Sequence, residues 1–175
     1  MLLSKVIQRR LFSSAKHYDL VVIGAGSGGL GCGRRAAALG AKVAMIENKD
    51  VGGTCVNVGC VPKKVMWNCA NFLEEASFMK HYHVQNTDQL KLDFPKFKAA
   101  RDIYVKRLNG IYHNNIANSG IDYFTGTASF ESQNTVATSE GEKLTGKHVL
   151  IASGSKAEAP KFDGVEHCWS SDDIF

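Results

Sequence analysis

A β-branched run that stops on a cluster of glycines constrains this chain most. Tyr18-Asp-Leu-Val-Val-Ile-Gly24 reads as a short strand, and it ends in Gly24-Ala-Gly26-Ser27-Gly28-Gly29. Leu30 to Leu39 follows as an alanine-rich helix closed by Gly40, and Lys42-Val-Ala-Met-Ile-Glu47 reads as a second strand. Strand, glycine turn, helix and strand make a βαβ unit, the repeat of a Rossmann-like parallel sheet. Gly24, Gly26 and Gly29 stand at G-x-G-x-x-G spacing. The first makes a tight turn, the second lets the backbone approach a pyrophosphate, and the third lets helix and strand pack closely. The N–H groups of Ser27 and Gly28 lie at the helix start, where phosphate oxygens are favoured. Glu47, about 20 residues on at a strand end, is placed to accept from a ribose hydroxyl. These features predict a dinucleotide site in an α/β fold. Cys32, inside the helix, reads as a small packing residue.

The second informative run is Gly52-Gly53-Thr54-Cys55-Val56-Asn57-Val58-Gly59-Cys60-Val61-Pro62-Lys63-Lys64. Glycines precede each cysteine, so the backbone can bend and bring the sulfurs together. A disulfide needs its Cα atoms within about 7 Å. Pro62 suits the first turn of a helix, where its missing N–H costs nothing. The positive end of that helix favours a thiolate and is expected to lower its pKa. The run reads as a reversible dithiol rather than a buried structural bridge.

Composition narrows the setting. Lys and Arg number 21 against 17 Asp and Glu. Lys5, Arg9, Arg10 and Lys16 fall in the first 17 positions, with no acid among them, and account for the whole surplus. The remainder carries no basic excess, which argues against a nucleic-acid partner. The leader 1–17 is basic and hydroxylated, with Leu3, Ile7 and Leu11 on one helical face. That is the pattern of a mitochondrial transit peptide, with an alternative start and a cytoplasmic form as the variant reading. A basic tail without a targeting role is the bland alternative. No apolar stretch reaches the roughly 18 residues that span a bilayer, so no membrane partner is expected. Cys32, Cys55, Cys60, Cys69 and Cys168 make an odd count without a secretory signal, which disfavours a disulfide-stapled scaffold. Zinc stays a distant alternative, because the cysteine spacing has no matching second pair and His81 and His83 sit at no standard ligand spacing. No metal site is expected.

Pro62 to about Lys80 has a helical pattern, with Val65, Phe72 and Phe78 among its apolar positions and Cys69 as core. Residues 81–93 read as a loop. Asp93 caps a second helix with Pro95 in its first turn. That helix runs to about Asn118 with Phe97, Tyr104, Leu108 and Ile111 as an apolar core stripe. Lys96, Lys98, Arg101, Lys106 and Arg107 read as its solvated face. Ile121–Phe124, Thr127–Phe130, Thr135–Thr138 and His148–Ala152 are β-rich runs broken by Gly126, Gly141 and Gly146. They predict a small meander and then a strand returning to the main sheet, followed by a second glycine turn at Ala152-Ser153-Gly154.

Gly52–Lys64 resembles the active-site signature of the flavin-dependent pyridine nucleotide-disulfide oxidoreductases. Continued through Val65-Met66-Trp67-Asn68, it is most similar to the branch that reduces glutathione disulfide. Relatives acting on dihydrolipoamide or mercuric ion typically carry serine at the second lysine of Lys63-Lys64. Large thioredoxin reductases usually have isoleucine in place of Val61. The resemblance extends over residues 18–175 and implies an FAD-binding domain with a long two-helix insertion. It implies that FAD contacts Gly24, Gly26, Ser27, Gly28, Gly29, Glu47, Gly53, Thr54, Cys55, Lys63 and Ala128, with Ser153 and Gly154 nearby. It further implies that electrons from NADPH reach the Cys55–Cys60 disulfide through the flavin. Cys60 is then the thiol facing the flavin, Cys55 the thiol that attacks glutathione disulfide, and Lys63 a charge near the flavin. Ser27, Arg34 and Tyr112 match positions that contact glutathione. On the residues alone Arg34 is a surface helix residue and Tyr112 is core. The family's chains are longer, with an NADPH domain and an interface domain that builds a homodimer and supplies a His–Glu acid. No such segments are seen here, so the expectation is a truncated version of the family's chain, without turnover of its own and with marginal stability.

Overall fold

The computed structural model describes residues 16–175, and the segment read as a transit peptide lies outside the described residues up to position 15. Lys16 and His17, placed at the end of that leader, open strand β1 (Lys16–Ile23) and pair with Leu144 and Thr145. Strand β1, helix α1 (Ser27–Ala38) and strand β2 (Val43–Glu47) form the expected βαβ unit, with Val22 opposite Met45 in parallel register. Between β2 and the next strand come α2 (Gly53–Asn57), α3 (Cys60–Phe78) and α4 (Phe94–Asn118), the expected insertion. Strands β3 (Asp122–Thr125), β4 (Ala128–Phe130), β5 (Thr135–Thr138) and β6 (Lys143–Ile151) complete one six-stranded sheet of order β3-β2-β1-β6-β5-β4.

Both faces of the central strands are covered, so Leu20–Ile23 of β1 and Val43–Ile46 of β2 are apolar runs rather than alternating. Val22, Val43 and Met45 pack with Leu30 of α1 and Ile116 of α4 on one face. Tyr18, Val21, Ala44 and Ile46 pack with Val136 and Leu144 on the other. Adjacent residues of β1 thus serve opposite cores, as the period of two requires.

The structure corrects four readings. Strand β3 is no part of the meander; it pairs parallel with β2. Strand β6 runs through Gly146 without a break, parallel to β1 and antiparallel to β5. A Cβ at Gly146 would lie 2.5 Å from the His148 carbonyl oxygen and 3.2 Å from the Val21 nitrogen. That glycine permits close strand approach and makes no turn. Asp93 does cap α4, its carboxylate accepting from the Lys96 N–H at 3.1 Å, but the buried face of α4 is rotated from the expected stripe. Arg101 and Ile116 are buried, Val105, Leu108, Asn109 and Tyr112 are half-buried, and Tyr104 and Ile111 are exposed. Arg101 leaves the solvated face because its guanidinium is satisfied inside, by the Asp102 carboxylate, the Met66 sulfur and the Phe175 carbonyl. The fourth correction concerns packing residues. Cys69 of α3, read as core, is half-buried, and Cys32, read as a packing residue, is exposed. The packing position beside Cys32 is Gly33, where a Cβ would fall 2.7 Å from the end of Met45.

Candidate active site

The dithiol run lies directly on the glycine turn. The N–H of Gly52 donates to the Ala25 carbonyl at 2.8 Å. A Cβ on Gly53 would come 2.8 Å from the Gly26 Cα, and one on Gly52, at φ +107°, would strike Val56 at 2.6 Å. Only glycine allows this left-handed backbone and this approach together. Helix α2 then carries Cys55, the chain bends at Val58-Gly59, and Cys60 heads α3. Pro62 sits in the first turn of α3, buried. Both cysteines are free thiols.

Cys55 departs from the expectation of a lowered pKa. The Cys60 thiol beside it pushes Cys55 above the ordinary thiol value, and burial and the charge on Cys60 add to the rise. The Cys60 N–H and the Ser27 hydroxyl oppose it. Cys55 is in α2, away from the positive end of α3, so the dipole argument does not reach it.

Cys55 opens onto a cavity of about 350 Å³ whose wall includes Ser27, Arg34, Val61 and Tyr112. Cys60 is not among its lining residues. Arg34 is exposed, and its Nε donates to the Ser119 hydroxyl at 3.3 Å. The terminal amino groups of the guanidinium make no hydrogen bond among the described residues, so a carboxylate could take them both. Tyr112 enters from α4, half-buried, which is neither the surface nor the core. The three positions the resemblance marked for glutathione therefore share one wall with the thiol it marked for attack.

A second cavity, about 150 Å³, lies at the opposite end of the turn, lined by Gly24, Glu47, Asn48, Thr127, Ala128 and Ser153 among others. The Glu47 carboxylate accepts from the N–H of Ala25 at 2.7 Å and from those of Asn48 and Lys49 at 2.9 Å each. A carboxylate offers about four lone-pair sites, so one remains for a ribose hydroxyl. A Cβ at Gly24 would lie 2.3 Å from the Ala152 carbonyl oxygen, which seats the second glycine turn against the first. The glycine turn and the free carboxylate lone pair of Glu47 fit the pyrophosphate and the ribose of a dinucleotide. Thr54 and Lys63 are exposed near the dithiol. Gly154, at φ +72°, lines neither cavity. Sequence reasoning missed Asn48 and Thr127, whose only signal is adjacency to Glu47 and Ala128. It also missed Asn57 and Asn109, which bond to each other across the dithiol run. Among the described residues no three His, Cys, Asp or Glu side chains converge as a metal site, and no helix is long and apolar enough to cross a membrane.

Residues 18–175 match the family described as pyridine nucleotide-disulphide oxidoreductase. The chain is 44% identical to glutathione reductase of Yarrowia lipolytica, over 93% of this chain and 37% of that protein. It is 43% identical to glutathione reductase of Debaryomyces hansenii, over 91% of this chain and 38% of the relative. Identity to glutathione reductase of Schizosaccharomyces pombe is also 43%, with 92% and 36% covered. The chain spans just over a third of the length of these curated relatives.

Proposed function

Because the chain belongs to the pyridine nucleotide-disulphide oxidoreductase family, we propose that it is the flavin- and dithiol-bearing part of an NADPH-dependent glutathione-disulfide reductase. The observation that carries this reading is the shared wall of Cys55, Arg34, Ser27 and Tyr112. FAD, when bound on the Gly24–Gly29 turn and Glu47, supplies the electron pair from NADPH that opens the Cys55–Cys60 disulfide. Arg34 holds a carboxylate of glutathione disulfide, with Tyr112 lining the same cavity. The Cys55 thiolate attacks one substrate sulfur. A Cys55–glutathione bond forms, the substrate disulfide breaks, and the first glutathione leaves as a thiolate that takes a proton. Cys60 then attacks the Cys55 sulfur, releases the second glutathione and restores the intramolecular disulfide. Cys60 suits that second role because it lies close enough to Cys55 to raise its pKa and does not line the Cys55 cavity. The homodimer belongs to the proposed longer protein, and the basic leader supports a mitochondrial location, to be checked by imaging a fluorescent fusion with and without residues 1–17.

The test is a trapping experiment. In Cys60→Ser, incubation with glutathione disulfide leaves a stable glutathione adduct on Cys55, read by peptide mass. Equal adducts on Cys60 in Cys55→Ser, or none on Cys55, would overturn the assignment.

A further inference from the structure

Two asparagines tie the dithiol run to helix α4, and neither lines either of the two cavities described above. The Asn57 side-chain amide, between the two cysteines, donates to the carbonyls of Gly53 at 3.0 Å, Asp50 at 3.2 Å and Val51 at 3.5 Å. The Asn109 amide, on α4, donates to the Val51 carbonyl and to the Asn57 side-chain oxygen, both at 2.8 Å. Val51 is fully buried, and the next residue is bonded to the glycine turn through Ala25. Asn109 stands one helical turn before Tyr112, on the half-buried face of α4. Hydrogen bonds therefore tie α4, one turn before Tyr112, to the segment that carries Cys55, and through Gly52 that segment is tied to the Ala25 carbonyl ahead of α1.

We propose that Asn57 and Asn109 form an amide clamp that fixes where Cys55 sits relative to Cys60 and to the Tyr112 wall. They are positioning residues: they act on the bend that carries the thiols and touch neither sulfur. The argument is conformational. Closing a disulfide requires both sulfurs at bonding distance with a narrow torsion range, and a loop held in that bend closes more readily than one that samples many shapes. The carbonyls of residues 50 and 51 lie ahead of α2 and accept no backbone N–H, so the amides are what hold them. Removing the clamp lowers the tendency of the two thiols to form their disulfide. This rests on the proposed redox role of the pair.

The test uses the 175-residue chain in mixtures of glutathione and glutathione disulfide. In the reaction followed, one glutathione disulfide takes two electrons from the dithiol. The Cys55–Cys60 bond forms, and two glutathione thiols leave carrying the two protons. The fraction joined is read by acid quench, alkylation and peptide mass. Asn109→Leu, close in volume but without donors, is expected to lower the equilibrium constant for oxidation at least fivefold. Asn57→Asp keeps an acceptor for Asn109 and loses the three carbonyl bonds, and it is expected to do the same. Asn114→Leu, exposed on α4, should stay within twofold of the parent, as should any change that weakens the fold without loosening the bend. Values within twofold of the parent for both clamp variants would overturn the proposal. Should Asn109→Leu fail to fold, Asn57→Asp and the unaltered chain decide. Slow exchange of the Asn109 side-chain amide protons by NMR is expected, and exchange as fast as that of Asn114 would overturn the clamp. A parent chain that never joins Cys55 to Cys60 would bring down the functional reading and the clamp together, whereas a parent that cycles alongside unaffected variants brings down the clamp alone.

Discussion

At the scale of single residues, the site is governed by who holds each proton and each lone pair. The Cys55 proton is retained first by Cys60 and then by burial, against the pull of Ser27. Replacing Cys60 with alanine removes the leading cause, so the pH midpoint for alkylation of Cys55 should move down. Ser27→Ala removes an opposing donor, so the midpoint should move up. A pH series of iodoacetamide rates, resolved by peptide mass, distinguishes these, and shifts of the same sign in both variants would contradict the assignment. Glu47 makes a second case. Its spacing from the glycine turn announced a ribose acceptor, yet its three bonds to backbone N–H groups were invisible in the sequence. They depend on the turn folding back over the strand end. Glu47→Gln turns an acceptor toward those donors into an amide that is itself a donor. It is expected to cost about 1–3 kcal/mol in urea unfolding and to weaken FAD binding in a fluorescence titration. Loss of FAD affinity at unchanged stability would show that the backbone bonds matter little. Asn57 and Asn109 were illegible for a similar reason: an amide's worth depends on which carbonyls reach it from distant parts of the chain.

Among the elements, those with local signals were legible and those defined by distant partners were not. The βαβ unit is announced by β-branched runs and glycines, and α4 by Asp93 and Pro95 at its start. The buried face of α4 was misplaced because it runs from Arg101, a residue that periodicity alone assigns to water. Its partners, Met66 and Phe175, come from other segments. Gly146 looked like a turn because a strand's need for close approach leaves no local mark. Glycines in helices divide in the same way, and this is testable. Gly29 in α1 is pressed on the turn below it: a Cβ there would come 1.8 Å from the Gly24 carbonyl oxygen. Gly110 in α4 has nothing within 4 Å of the corresponding point. Gly29→Ala is therefore expected to lose about 3 kcal/mol or more, since backbone cannot yield as a flexible side chain does. Gly110→Ala should gain about 0.5–1 kcal/mol from helix propensity. Urea denaturation of the two variants checks the pair, and a tolerated alanine at 29 would mean that α1 can slide off β1 without penalty.

For the molecule as a whole, the sheet is the frame that keeps dinucleotide turn, dithiol and substrate wall in register, and one side chain bridges its parallel half. Tyr18 of β1 donates its hydroxyl to Asp122 of β3 at 2.8 Å, across the intervening β2. Its ring meets Phe124 edge to face with centroids 6.4 Å apart and carries the Lys42 ammonium at 4.8 Å. Burial, then the bond to Asp122 and the charge there, raise its pKa well above the ordinary tyrosine value of 10.0. Tyr123 is raised as well, chiefly by burial. A folded-state pKa above the unfolded one fixes the sign. Below about pH 10 both states keep the phenol protonated, and its contribution to stability is whole. As the pH climbs past that value the unfolded chain gives up the proton first, and the native state loses ground until its own phenol ionises. Urea midpoints should fall gently once the pH passes the ordinary thiol range, where the raised Cys55 acts with the same sign, and more steeply above about pH 10. Tyr18→Phe should cost about 1 kcal/mol at neutral pH, the net value of one hydrogen bond whose acceptor returns to water. Its decline above about pH 10 should be shallower than the parent's, with Tyr123 and Cys55 supplying what remains. Parallel declines in the two proteins would place the alkaline sensitivity elsewhere and leave Tyr18 a packing residue with an incidental bond.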